Sequence, residues 1–250
     1  MYHRNDGIIT LKVSGRKMAE KKNEKETRTA YVLYTDIVGF TLIEKLEQKR
    51  KTKERFKKLY LACADVKKRT RGKEYLFLDT GDGFAAAFLD SPEPALLSAL
   101  EFSRKLKEAE IPCRMGLNLG LVYLVEDMNE QTNIIGGGVD YAQRVMDLGE
   151  SGHILASKIF RDFLSQVKYE YEDSFHYLGP RRVKHGEVIE VYNACNDQAG
   201  NRDDPRKGRI LGDSRRLSGP DDPLLAPEAG RNILGRESDI DKVISFLEGD

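Results

Sequence analysis

Two aspartates carry the most chemistry for their surroundings. Asp36 ends the uncharged run Ala30–Thr35, and Asp82 sits between Gly81 and Gly83. If the two strands they terminate are neighbours, both carboxylates can point at one spot. Two hard anionic oxygen donors suit one or two Mg²⁺ or Mn²⁺ ions, with substrate phosphates completing the shell. Each Asp can equally cap its own turn, and spacing alone favours that simpler reading. Ile37-Val38-Gly39-Phe40-Thr41 leads toward a helix, and N–H groups at a helix start bind phosphate. A lone glycine there also fits an ordinary strand–turn–helix. Asp140 and Arg144 stand at i, i+4 on one helix face. An arginine beside a phosphate can stabilise developing charge, although the same spacing describes a surface ion pair of little worth. Lys184, in a basic turn after Arg181-Arg182, is either a phosphate ligand or a solvated cation.

These residues need elements to position them. Ala30–Thr35 reads as a buried strand, with a helix from about Thr41. The basic residues of 48–58 fit a solvated helix face better than a binding patch. Glu74–Asp79 and Phe84–Phe88 read as strands joined by a Gly-Asp-Gly hairpin turn. Ser91-Pro92 should open a helix, with Ser91 as its cap. Pro112–Val125 reads as a long strand. An irregular loop and Gly136-Gly137-Gly138 follow, then a helix over Val139–Leu148 and a short strand over His153–Ala156. Tyr169–Leu178 and Val188–Tyr192 look like a closing pair of strands. Helices and strands alternate without strict βα repeats, which favours an α+β sandwich over a Rossmann sheet.

The 250 residues hold 41 Lys plus Arg and 41 Asp plus Glu, so the net charge is zero. That balance argues against a general nucleic-acid or membrane-surface binder. Cys63, Cys113 and Cys195 show no metal spacing and no disulfide framework, as expected of a reducing cytosol. No apolar run approaches the ~18 residues of a membrane span, and 1–10 is too polar for a signal peptide. A cytoplasmic protein is expected. His153, His176 and His185 have no ligand spacing and read as structural or surface residues.

Five stretches occur together in one recognisable order: YTDIVGFT (34–41), DTGDGFAAAF (79–88), RMGLNLGLV (114–122), GGGVDYAQRVMDLGESGHILAS (136–157) and LGPRRVKHGEVIEVY (178–192). In this order and spacing the chain from about Ala30 to Asn193 resembles the catalytic domain of class III adenylate/guanylate cyclases. The resemblance outweighs the turn-cap reading of the Asp pair. It implies a ferredoxin-like βαββαβ core and a head-to-tail homodimer with sites at its interface. Asp36 and Asp82, helped by the Ile37 carbonyl, would hold two Mg²⁺ or Mn²⁺ ions, and the Phe40-Thr41 backbone would hold the triphosphate. Arg144 and Lys184 would come from the other subunit. The implied reaction is attack of a ribose 3′-OH on the α-phosphorus of a nucleoside triphosphate, releasing pyrophosphate. Three positions depart from the purine pattern: Leu78 stands where adenylate cyclases carry a base-reading Lys, Asn133 at the second base-reading position, and Asp140 where an Asn orients the ribose. Leu78 cannot hydrogen-bond a base, and losing such a partner weakens discrimination. Asn133 can both donate and accept. UTP or CTP thus become candidate substrates, as in antiviral pyrimidine cyclases.

The expected division is a leader over 1–29 with a possible short strand, a cyclase-like domain over 30–195, and a linker over 196–232. Residues 233–250 resemble the lead-in of STAND- or AAA-type ATPase modules or form an amphipathic helix. A reading from another class is a non-catalytic nucleotide-binding domain that regulates a downstream ATPase.

Overall fold

A computed structural model describes residues 26–69, 74–126 and 132–209. The ATPase-like segment and most of the leader lie outside these residues. Two long strands form the spine. β1 (Glu26–Ile37) pairs antiparallel with β4 (Cys113–Glu126) over its whole length, from Glu26 opposite Leu124 to Ile37 opposite Cys113. The expected 30–35 strand is therefore extended at both ends, because ladder pairing carries the polar Glu26–Thr29 into the sheet. On the other side of β1 lies the hairpin of β2 (Tyr75–Asp79) and β3 (Gly83–Phe88). The sheet runs β2-β3-β1-β4-β6-β8-β7, with β6 (Ile154–Ser157), β7 (Phe175–Arg182) and β8 (Val188–Ala194) completing it. β5 (Thr132–Ile135) pairs with the far end of β4, and β4–β6 is the parallel pair of the sheet. This mixed α+β sheet, mostly antiparallel, agrees with the expected class.

Strand alternation sends side chains to two faces. Tyr31 and Leu33 point into the larger core, built with α1 (Leu46–Leu61), α2 (Ala64–Arg69), α3 (Glu93–Glu108) and α5 (Lys158–Val167). Its centre is aromatic: Phe102 lies 4.9 Å from Phe56, 5.2 Å from Tyr60 and 5.8 Å from Phe84, ring centre to ring centre. Ala30, Val32 and Tyr34 face the opposite side, where α4 (Gly137–Asp147) packs. That helix lies unusually close to β4. A Cβ on Gly116 would come within 2.3 Å of the Ala142 carbonyl, and one on Gly120 within 2.7 Å of Gly138 Cα. The glycines of RMGLNLG thus let α4 settle directly on the strand.

Several local expectations change. The helix expected from Thr41 is a single 3₁₀ turn, Phe40–Leu42, and α1 starts at Leu46. Pro92, not Ser91, is the cap residue of α3, without a side-chain cap bond. Residues Tyr169–Ser174 are 3₁₀ rather than strand, and α5 was not foreseen. After β8 the chain does not leave the domain at Asn196. Residues 196–209 fold back over the 150–153 loop and the end of β7, with Ala199 and Pro205 buried. His153 is buried, with both ring nitrogens engaged. The three cysteines are buried and free.

Candidate active site

The metal-type carboxylates come from two adjacent strand ends. Asp36 is the penultimate residue of β1 and lies opposite Gly83, while the Ile37 N–H donates to the Asp82 carbonyl at 3.1 Å. Close approach needs glycine here: a Cβ on Gly83 would sit 1.8 Å from the Thr35 carbonyl oxygen. The hairpin is pinned from outside. Lys53 of α1 donates to the Gly83 carbonyl at 2.5 Å and pairs with Asp79 Oδ1 at 2.9 Å. Asp79 in turn accepts from the Gly81 N–H at 2.9 Å. Burial alone would raise the Asp79 carboxyl, but the Lys53 ammonium and the Gly81 N–H hold it below the usual range.

Asp36 and the Asp82 turn therefore meet at the same end of the β1–β3 ladder. Burial pushes the Asp36 carboxyl above its ordinary value and the neighbouring Asp82 adds to this, against the lowering pull of Arg114. Arg114 Nε donates to Asp36 Oδ2 at 2.8 Å, and its Nη2 also reaches Asp147 Oδ1 at 3.3 Å. Among the described residues there is no cluster of three or more His, Cys, Asp or Glu able to hold a metal. Two oxygen donors still fit Mg²⁺ or Mn²⁺, since such ions keep water and take substrate phosphates as ligands. A half-buried Asp36 with the Asp82 turn beside it has the chemistry of a site that gains from a cation.

The 3₁₀ turn beside them begins after Gly39, which adopts φ 76°. Leu42 N–H and Ile43 N–H are taken up by the carbonyls of Gly39 and Phe40. Thr41 is exposed and Phe40 half-buried. The first N–H groups of a helical turn have no intrahelical acceptor.

The second group of residues gathers on α4 and the β7–β8 turn. Asp140 is exposed in the first turn of α4, where the helix dipole favours a carboxylate. Arg144 Nη1 pairs with Glu187 Oε2 at 2.9 Å. Lys184 opens the 3₁₀ turn Lys184–Gly186, is exposed, and lies 3.7 Å from Asp147 Oδ2. Asp147 therefore links the two groups within one chain, through Arg114 to Asp36 and through Lys184 to the basic turn. Leu78 on β2 packs among apolar neighbours, and Asn133 on β5 uses its Oδ1 to accept from the Ile134 N–H at 2.7 Å. Lys53, Arg114, Asp147 and Glu187 were not singled out from sequence. Arg114, Asp147 and Glu187 lie inside the motif stretches at 114–122, 136–157 and 178–192, while Lys53 carried no such signal.

No family model matches the chain, and no curated protein matches it. Solved structures do. The guanylate cyclase domain of RhGC from Catenaria anguillulae, in complex with GTP, is 22% identical with a TM-score of 0.56, over 70% of this chain and 100% of that one. An adenylate/guanylate cyclase/hydrolase from Silicibacter pomeroyi is 27% identical with a TM-score of 0.52, over 69% of this chain and 99% of that one. This is the fold of the class III cyclase catalytic domain. A non-canonical dimeric guanylyl cyclase domain of the RhoGC fusion protein from Blastocladiella emersonii shares it at 22% identity and a TM-score of 0.53, over 68% of this chain and 98% of that one. The cyclase-type fold frames both residue groups above. Among the described residues no helix is long and apolar enough to cross a membrane.

Proposed function

We propose that the chain is a nucleotide cyclase that converts a nucleoside triphosphate into a 3′,5′-cyclic nucleotide and pyrophosphate. The observation that carries this is that Asp36 and the Asp82 turn meet at one end of paired strands within a cyclase-type fold. Their carboxylates, with the Ile37 carbonyl, would hold two Mg²⁺ or Mn²⁺ ions. Bound there, the ions would lower the pKa of the ribose 3′-OH and offset triphosphate charge. The Phe40-Thr41 backbone faces the phosphates. Arg144 and Lys184, from the second copy of a head-to-tail homodimer, neutralise charge on the phosphates as the bond between the α-phosphorus and the β-bridging oxygen breaks. The 3′-oxygen forms the new bond, and its proton leaves to solvent. Asp140 lies one helical turn from Arg144 and orients a ribose hydroxyl.

The base is a pyrimidine in this reading. Leu78 offers no hydrogen bond. Asn133, with its Oδ1 already engaged, presents its amide N–H donors. Such donors address a base carbonyl, as uracil and cytosine present, and a leucine at position 78 leaves the adenine edge without a partner there.

The test is incubation with ATP, GTP, CTP and UTP plus Mn²⁺, followed by mass spectrometry, beside Asp82→Asn. Cyclic UMP or CMP from the parent chain and none from Asp82→Asn is expected. No cyclic product from any triphosphate, with binding retained, would replace this reading by a non-catalytic nucleotide-binding domain.

A further inference from the structure

Residues 196–209 form a strap whose anchors fall in two sets. Its first half ties to β8 and to the loop between α4 and β6: the Asn201 carbonyl accepts from Asn193 Nδ2 of β8 at 2.6 Å, and the Asp203 carbonyl is 2.8 Å from Nε2 of the buried His153. Its second half ties to the end of β7. Asp204 pairs with Arg181, which is only 5% exposed. The Gly208 carbonyl accepts from the Arg182 N–H at 2.8 Å, and Arg209 bridges to Arg181 as an added edge pairing. Arg182 then holds the basic turn itself, donating from Nη1 to the Gly186 carbonyl at 3.1 Å. Gly208 also lies against Leu148, the residue that ends α4.

We infer that Asp204 and Gly208 are positioning residues for the turn that carries Lys184, acting through Arg181 and Arg182, so that the strap sets the grip on a polyphosphate. The polyphosphate role of Lys184 rests on the function proposed above; the mechanical link does not. The link is a contiguous chain of contacts: Gly208 to the Arg182 backbone, and the Arg182 side chain to the turn. An edge strand without this pairing would end at Arg182 with its N–H facing water.

The test uses the full chain with three substitutions. Gly208→Ala pushes the strap away without touching any charge, because its Cβ would lie 2.7 Å from the Arg182 carbonyl oxygen and φ is +69°. Asp204→Asn keeps the shape and removes the charge facing Arg181. Asp197→Ala is the control, since among the described residues the Asp197 carboxylate pairs with the exposed Arg202. Amide hydrogen exchange over residues 181–187 reads the turn directly. Binding of a fluorescent nucleoside triphosphate analogue reads the grip, and Mn²⁺ binding to the Asp36–Asp82 pair serves as an internal reference.

Gly208→Ala should speed exchange at Arg182 by about tenfold, equivalent to ~1.4 kcal/mol. It should weaken triphosphate binding severalfold and raise KM more than it lowers kcat, with Mn²⁺ binding unchanged. Asp204→Asn should act in the same direction, and Asp197→Ala should do nothing. Unchanged exchange over 181–187 in Gly208→Ala would overturn the inference. So would faster exchange with undiminished triphosphate binding, or a loss of Mn²⁺ binding equal to the loss of triphosphate binding, which would mark general unfolding. A parent chain that makes no cyclic nucleotide would defeat the proposed function, while the exchange and binding measurements would still decide the role of the strap.

Discussion

Glu187 sits where a substrate phosphate would be expected to go, on the guanidinium of Arg144. The two side chains are 2.9 Å apart and 38% and 44% exposed. A pair this wet is screened, and its worth lies within ~0.2–1 kcal/mol. If Arg144 meets the triphosphate as proposed, the incoming substrate displaces Glu187 and forfeits that amount. Glu187→Gln keeps the volume and a weaker acceptor but removes the competing charge. It should therefore lower KM for the preferred triphosphate by up to about fivefold, the factor that ~1 kcal/mol corresponds to. The kcat should be little changed, and the urea midpoint should move by no more than the same ~1 kcal/mol. The gain should shrink at high salt, where exposed charges are screened. Steady-state kinetics at saturating Mn²⁺ with pyrophosphate release as readout would measure it. A raised KM, or a kcat reduced more than tenfold, would refute the reasoning. Either would mean that Glu187 holds Arg144 in its working position and does not compete for it.

Lys53→Met removes the cation that pins the hairpin while retaining its stem. Losing a charged hydrogen bond to the Gly83 carbonyl should cost about 1–2 kcal/mol, seen as a fall in Tm of roughly 3–6 °C, with weaker Mn²⁺ binding by calorimetry; an unchanged Mn²⁺ affinity would show that the hairpin holds its shape alone. Phe102→Ala opens the centre of the aromatic core, where Phe102 is fully buried. It should cost ~3–5 kcal/mol, read as a lower urea midpoint at constant slope, while activity per folded molecule stays near the parent value.

The parts of the fold that were legible from sequence are those with strong local signals. Gly81-Asp82-Gly83 between apolar runs marks the hairpin, since only glycine tolerates both φ +90° at Gly81 and the 1.8 Å approach at Gly83. Val139, Ala142, Val145 and Met146 mark α4 by their period, and all four are buried. Elements that were missed depend on distant partners. Thr132–Ile135 is four residues long and is a strand because the end of β4 accepts it. The residues of α5 carry a strongly one-sided apolar face, yet their length of ten and the adjoining strand masked the boundary. The strap reads as a Pro, Gly and Asp-rich linker, and its order comes from hydrogen bonds to Asn193, His153 and Arg182, far from it in local pattern. In the candidate site, the aspartates and Arg144 were visible through family-like motifs. Lys53 lay outside those motifs, and Glu187, though inside the 178–192 stretch, was not picked out, because a lysine among the many cations of α1 and a glutamate in a turn look solvated until their partners are placed.

The β1–β4 ladder sets Glu26 and Arg209 at unequal distances from the candidate site. Glu26, paired with Leu124, stands ten residues before Asp36, roughly 34 Å along the strand. Arg209 is bridged to Arg181, three residues before Lys184 in the chain. A pull applied at Glu26 acts a full strand length from the carboxylates and should be a passive load. A pull applied at Arg209 has a short lever on the basic turn, so the two positions are unequal handles, one for tethering and one for control.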